Sequence, residues 1–273
     1  MSATAKWGDL GPRVVSGVVM AALGFGLLYL GGVPLLLGLA AIGGLAVWEL
    51  HRMLGGQMPR MAGGLAATGV AAACAAQVFA FATGDGLWDG VYLSPWIVPL
   101  IGLAIWGGVQ SVPPRHRWVF TSYGLLVLFA VAGLFYLRIL HGWIFVLFVA
   151  GVVVATDIAG YFAGRFLGGP KFWPRVSPKK TWSGTVAGWI AAALMAWALL
   201  GWVPAIVLGI APLLSLASQM GDAAESAIKR RAGFKDTSTL IPGHGGVLDR
   251  FDAMIGASAV ATLVMVIGRG WVL

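Results

Sequence analysis

Four residues in one short stretch could do phosphate chemistry together. In SQMGDAAESAIKRRAG, Asp222, Glu225, Ser226 and Lys229 fall at i, i+3, i+4 and i+7. A continuous helix puts these two carboxylates, a hydroxyl and an ammonium on one face. A solvated helix end with an i,i+4 pair such as Glu225–Lys229 is common and, on this stretch alone, is the better account. The next stretch changes that balance. KDTSTLIPGHGGVLDRFD, residues 235–252, holds three carboxylates, two basic residues, His244 and four Gly or Pro residues. Pro242-Gly243-His244-Gly245-Gly246 carries little side-chain bulk, and such turns let backbone N–H groups approach a phosphate closely. Asp249 and Asp252 then open an apolar run. There Asp249 could serve as a helix N-cap and Asp252 could favour the first turn. Asp222 and Asp249 are hard oxygen donors on two elements joined by a loop rich in Lys and Arg. That set suits Mg2+ held between carboxylates and phosphate oxygens. Without a metal or an anion, the charges could simply neutralise one another.

Two further places carry polar groups. KFWPRVSPKKTWSG offers Ser177, Lys179, Lys180 and Thr181 just before an apolar run. A positive anchor for anionic lipid headgroups is the competing account. Pro174 and Pro178 favour a shaped loop. Asp157 lies in VVVATDIAGYFAGRFLGG. A charge in a membrane helix costs roughly 2.5–3.5 kcal/mol, so its presence suggests a use. Pairing with Arg165 would explain it structurally; lining a polar cavity would explain it functionally.

The elements that must position these residues are unusually apolar. The chain has 273 residues, of which 59% are hydrophobic and 10% charged, and a mean hydropathy of +0.88. This excludes an ordinary soluble domain and indicates a polytopic, all-α integral membrane protein. Nine transmembrane helices are expected: Val14–Gly32, Pro34–Leu50, Met61–Ala82, Tyr92–Val109, Trp118–Leu137, Trp143–Phe162, Thr185–Leu200, Val203–Met220 and Phe251–Ile267. The first is read as an uncleaved span. Tight helical hairpins are expected near Gly32 and at Gly201–Pro204. Gly233 is the expected end of the helix that carries Asp222.

With the amino terminus in the cytoplasm, every Lys and Arg except Arg138 and Arg269 falls on the inside, which is the usual bias. The same threading puts residues 165–182 and 221–250 on one cytoplasmic face, where their chemistry can converge. The net charge of +8 is then explained without nucleic acid. Cys74 is the only cysteine, so no intramolecular disulfide can form.

These residues together resemble the phosphatidate cytidylyltransferase family, the CDP-diacylglycerol synthases. The family signature, S-x-x-K-R-x4-K-D-x5-P-x-H-G-G-x-x-D-R-x-D, runs unbroken from Ser226 to Asp252. Gly221-Asp222 and the SPKKT element at Ser177–Thr181 also fit. One departure is Ser183, where the family often has Glu.

The resemblance implies that CTP and phosphatidate give CDP-diacylglycerol and pyrophosphate, with one or two Mg2+ ions held by Asp222 and Asp249. Lys229 and Arg250 would share the catalytic work. Ser226, Arg230, Lys235, Asp236, His244, Gly245 and Gly246 would contact substrate, with Ser177, Lys179, Lys180 and Thr181. Asp157 would complete the polar cavity.

The single membrane domain would divide into packing helices over 1–140 and catalytic helices over 141–273. A bacterial inner membrane is the expected location. The Gly- and Ala-rich run Met61–Ala82 could pack within the chain or against a second protomer, so a homodimer is left open. The rival readings are an ion-coupled transporter and a polyprenol kinase-like enzyme. The DGxxAR motif of the CDP-alcohol phosphotransferases is absent.

Overall fold

The computed structural model describes residues 10–84, 94–174, 177–199 and 207–272. Helices dominate, as so apolar a chain requires, because lipid offers backbone groups no hydrogen-bond partner. In chain order they are α1 (Leu10–Leu30), α2 (Gly32–Met53), α3 (Pro59–Thr83), α4 (Ile97–Val109), α5 (Pro114–Phe166), α6 (Trp182–Ala198), α7 (Val207–Ala232) and α8 (Leu248–Val272). Between α5 and α6 lies an antiparallel hairpin, β1 (Lys171–Trp173) and β2 (Ser177–Thr181). This hairpin adds a small strand element to the expected all-α architecture.

Five helices, α1, α2, α3, α5 and α8, are long and apolar enough to cross a membrane. The expected count of nine spans is not confirmed. α4 has 13 residues and α6 has 17. α7 has 26 residues, but its last turns carry Asp222, Glu225, Lys229, Arg230 and Arg231, which dilute its apolar content. Tyr92, Leu200 and Val203, where three expected spans begin or end, lie outside the described residues, as does the Gly201–Pro204 turn.

α5 has 53 residues. Straight, it would extend about 80 Å, far beyond a hydrocarbon core of about 30 Å. It bends instead at Gly142, whose φ of 79° and ψ of 177° are non-helical. A positive φ is open to glycine at little cost. The two arms coincide with the expected fifth and sixth runs. The tight α1–α2 turn likewise uses positive φ at Gly31 and Gly32.

The core gathers around α5, whose Phe120, Phe135, Tyr136, Phe145 and Phe148 are fully buried. α5 packs on α6 and α8, α2 on α3, and α7 on α6 and α8. In lipid, helices draw close mainly where small residues line the seam. A Cβ added at Gly44 would lie 2.8 Å from the Ala67 Cβ, so the Gly/Ala-rich α3 packs on α2 within the chain. The α7–α8 crossing is tighter still. A Cβ at Gly221 would strike the Asp252 carbonyl oxygen, and one at Gly256 would strike that of Ala217. This crossing sets the start of α8 against the polar end of α7.

Candidate active site

Asp249 is the hub of the first polar cluster. It is the second residue of α8, and its side chain is 3% exposed. Its Oδ1 accepts from Lys229 Nζ at 2.7 Å. Its Oδ2 accepts from the backbone N–H groups of Thr237 at 2.9 Å and Gly246 at 2.7 Å. The Thr237 hydroxyl lies 2.9 Å from the same oxygen. Asp249 is therefore not the N-cap of its own helix. It ties both ends of the 237–246 loop to α7.

Lys229 also pairs with Glu225 at 2.6 Å, so the i,i+4 pair is present. Glu225 is fully buried, and burial pushes its carboxyl up to about 8 against the opposing pull of Lys229. Burial would lower Lys229, but Asp249 and Glu225 outweigh it and raise its pKa. Gly233 ends α7 with a φ of 80°, and the Phe234 N–H donates to the Lys229 carbonyl at 2.9 Å, a closure typical of glycine at C′.

The amino-terminal half also enters this cluster. Glu49 of α2 is completely buried. Its carboxylate accepts from the N–H groups of Val247 at 3.0 Å and Leu248 at 2.7 Å, and from the Ser238 hydroxyl at 2.5 Å. The Thr237 hydroxyl stands 3.0 Å from it, and donates its one proton either here or to Asp249. Arg52 donates to the Thr237 carbonyl at 2.7 Å. From α1, Ser16 hydrogen-bonds His244 at 2.8 Å and donates to the Pro242 carbonyl at 2.9 Å.

The second polar cluster is open. Lys180 of β2 pairs with Asp222 of α7 at 2.5 Å, with side chains 24% and 34% exposed. It also donates to the Gln219 carbonyl at 3.2 Å. Beside this pair is a cavity of about 400 Å³ between α5, β2, α6 and α7. Asp157, Tyr161, Arg165, Lys180, Thr181 and Gln219 are among its walls. Asp157 is within electrostatic reach of both Lys180 and Asp222, and Asp252 within reach of Asp222 and Asp157. Arg165 donates to the Tyr161 hydroxyl at 3.1 Å. Thr181 caps α6, accepting from the Gly184 N–H at 3.2 Å. Ser183, where an acid was in question, hydrogen-bonds Thr181 at 3.0 Å and donates to the Gly168 carbonyl.

The expected residues thus divide. Asp222, Lys180, Thr181 and Asp157 meet around the cavity. Asp249, Lys229 and Gly246 meet in the buried cluster, together with Thr237, which the sequence did not single out. Ser226 reaches Asp222 only at 3.4 Å. Ser177 is half-buried on β2, whereas Arg230, Lys235, Asp236 and Arg250 are exposed. The Lys179 side chain lies outside what is described. Gly245 donates within the turn to Ile241, and the Gly246 N–H is taken by Asp249, so neither offers a bare donor. Glu49, Thr237 and Gln219 also belong to these clusters, although the motifs do not point to them. Applied to Glu49, the cost of a carboxylate inside an apolar helix would have found the most important of these.

Among the described residues, no three His, Cys, Asp or Glu side chains are grouped to hold a metal ion. Asp222 has the donor chemistry for a hard cation, being a partly exposed carboxylate that already holds an ammonium, but Asp157 and Asp252 stand only within electrostatic reach of it and do not form one ligand group with it. Asp249 does not fit as placed, because both oxygens are occupied. Asp222 is also seven residues from Lys229, the partner of Asp249, about 10 Å of helix rise.

The chain matches the Cytidylyltransferase family over residues 11–267, and it belongs to that family. A phosphatidate cytidylyltransferase of Brucella suis is 51% identical over 132 residues, covering 45% of this chain and 47% of the relative. The match therefore spans about half the length of that relative. One of Bacillus subtilis is 28% identical over 260 residues, covering 90% of this chain and 94% of the relative. One of Mycobacterium bovis is 34% identical over 187 residues, covering 67% and 55%.

Proposed function

We propose that the chain transfers the cytidylyl group of CTP to phosphatidate, giving CDP-diacylglycerol and pyrophosphate at the cytoplasmic face of a bacterial inner membrane. The observation that carries this reading is the Lys180–Asp222 pair. It joins the SPKKT element to the signature helix beside a cavity with both cationic and acidic walls.

A phosphatidate oxygen attacks the α-phosphorus of CTP, a new P–O–P bond forms, and the bond to the β-phosphate breaks as pyrophosphate leaves. A phosphate monoester is already a nucleophile, so no general base is needed. Both reactants are anions, so the protein's work is in-line positioning and charge neutralisation. Lys180 and Arg165 would meet phosphate oxygens in the cavity. The exposed Arg230, Lys235 and Arg250 would draw the triphosphate in. Asp222 would hold Mg2+, which when bound supplies further charge neutralisation. Asp249 reaches a cation only if Lys229 gives up Oδ1. The amino terminus would lie in the cytoplasm, where CTP is made, and phosphatidate would enter from the leaflet.

The test is purified protein in detergent with CTP and phosphatidate, with and without Mg2+, following pyrophosphate release and lipid mass. A nucleotide-linked lipid that forms only with Mg2+ is expected. A simple lipid phosphate as product, or solute uptake into proteoliposomes without CTP consumption, would overturn the reading. Size-exclusion chromatography in detergent tests for a homodimer.

A further inference from the structure

We infer that Glu49, with Arg52 one turn later, is a positioning residue for the signature loop, so that α2 shapes the site from outside the catalytic half. The inference rests on the proposed function in taking that loop as part of the reacting site. Four donors from 237–248 converge on one carboxylate that has no access to solvent: two hydroxyls and the N–H groups of Val247 and Leu248. Those two N–H groups open α8, where an anion is favoured by the unpaired donors and the helix dipole.

A second link runs through Thr237. Its hydroxyl lies between Glu49 and Asp249, its N–H is held by Asp249, and its carbonyl is held by Arg52. Glu49 therefore acts on Asp249 through a residue that both carboxylates grip. Gly246 is needed at the crossing point, since a Cβ there would run into both the Thr237 hydroxyl and the Glu49 carboxylate. A buried carboxylate costs several kcal/mol unless it is well paired, and here its partners all come from the 237–248 segment, the loop and the first residue of α8.

The experiment compares the full-length wild-type protein with Glu49→Gln and Arg52→Gln in the same detergent. The glutamine is nearly isosteric, but its amide turns one oxygen into a donor facing two other donors. Hydrogen exchange at the Val247 and Leu248 amides is expected to quicken at least about tenfold, with α2 and α3 unchanged. The rate kcat should fall by about tenfold or more while the KM for phosphatidate stays within about twofold. Arg52 is exposed, so Arg52→Gln should fold regardless and give a smaller loss of the same kind. If Glu49→Gln fails to fold, Arg52→Gln decides the question.

Faster exchange spread over the whole chain with a collapsed melting temperature would make Glu49 merely structural and overturn the inference. A loosened loop with unchanged kcat would also overturn it. If the wild type makes no nucleotide-linked lipid, the proposed reaction falls instead, and the exchange measurements still decide whether Glu49 seats the loop.

Discussion

Asp249 and Asp222 bind lysines in two different environments. Asp249 is nearly sealed, and its oxygens hold an ammonium, two backbone N–H groups and a nearby hydroxyl. Asp222 is about one-third exposed and pairs with a single lysine, Lys180, which lines a cavity. The first arrangement is complete before any ligand arrives. On the proposed function, the second would exchange its lysine for a ligand cation while the lysine turns to a phosphate. The same residue pair can thus build a scaffold in one place and a receptive surface a few turns away.

That contrast breaks first at Asp249. Asp249→Asn turns one acceptor into a donor in a sealed ion-pair cluster, a change that costs about 3 kcal/mol. Both the melting temperature and turnover should fall, turnover by roughly 100-fold, read by thermal unfolding and pyrophosphate release on protein that still inserts. A fully active variant would remove Asp249 from the site.

Asp222→Asn should separate the two effects. An exposed pair contributes at most about 1 kcal/mol, so the melting temperature should hold while kcat/KM falls about tenfold. Lys180→Gln should act more mildly, raising the KM for CTP about fivefold with little change in kcat. Equal loss of stability in Asp222→Asn and Asp249→Asn would erase the distinction.

The smallest expected effect is on pH dependence. Glu225 is pushed from an ordinary 4.5 up to about 8. The native state therefore favours its protonated form. Its contribution to stability is full below about pH 4.5 and is lost as pH rises through about 8. Glu225→Gln keeps a neutral side chain, so its melting temperature should decline less between pH 5 and 8, as read by a pH series of thermal unfolding curves.

Much of this was legible in the sequence because it is local. Apolar run lengths gave the helices, and the polar break before Trp143 matched the bend at Gly142. Gly233 ended α7 because its left-handed φ is a one-residue property. The positive-inside bias set residues 165–182 and 221–250 on one side, and Lys180 does meet Asp222.

What stayed hidden is long-range or small. Glu49 touches Thr237 across 188 positions, and nothing in GLAVWELHRM names that partner. The strands β1 and β2, of 3 and 5 residues, are too short for a two-residue alternation to stand out beside prolines. The expected span count is not confirmed among the described residues, because helix and membrane crossing are different properties. α7 is long yet polar at its end, and α4 is apolar yet short.

At Gly221 and Gly256 the main chains of two antiparallel helices come within touching distance. The gap between the acidic rungs that follow, Asp222 on one rail and Asp252 on the other, is consequently ruled by peptide planes. Lengthening or shortening a carboxyl arm there would shift its charge and leave the ladder's width untouched. Any residue larger than glycine at either rung of contact would widen the ladder and detune every acid along it at once.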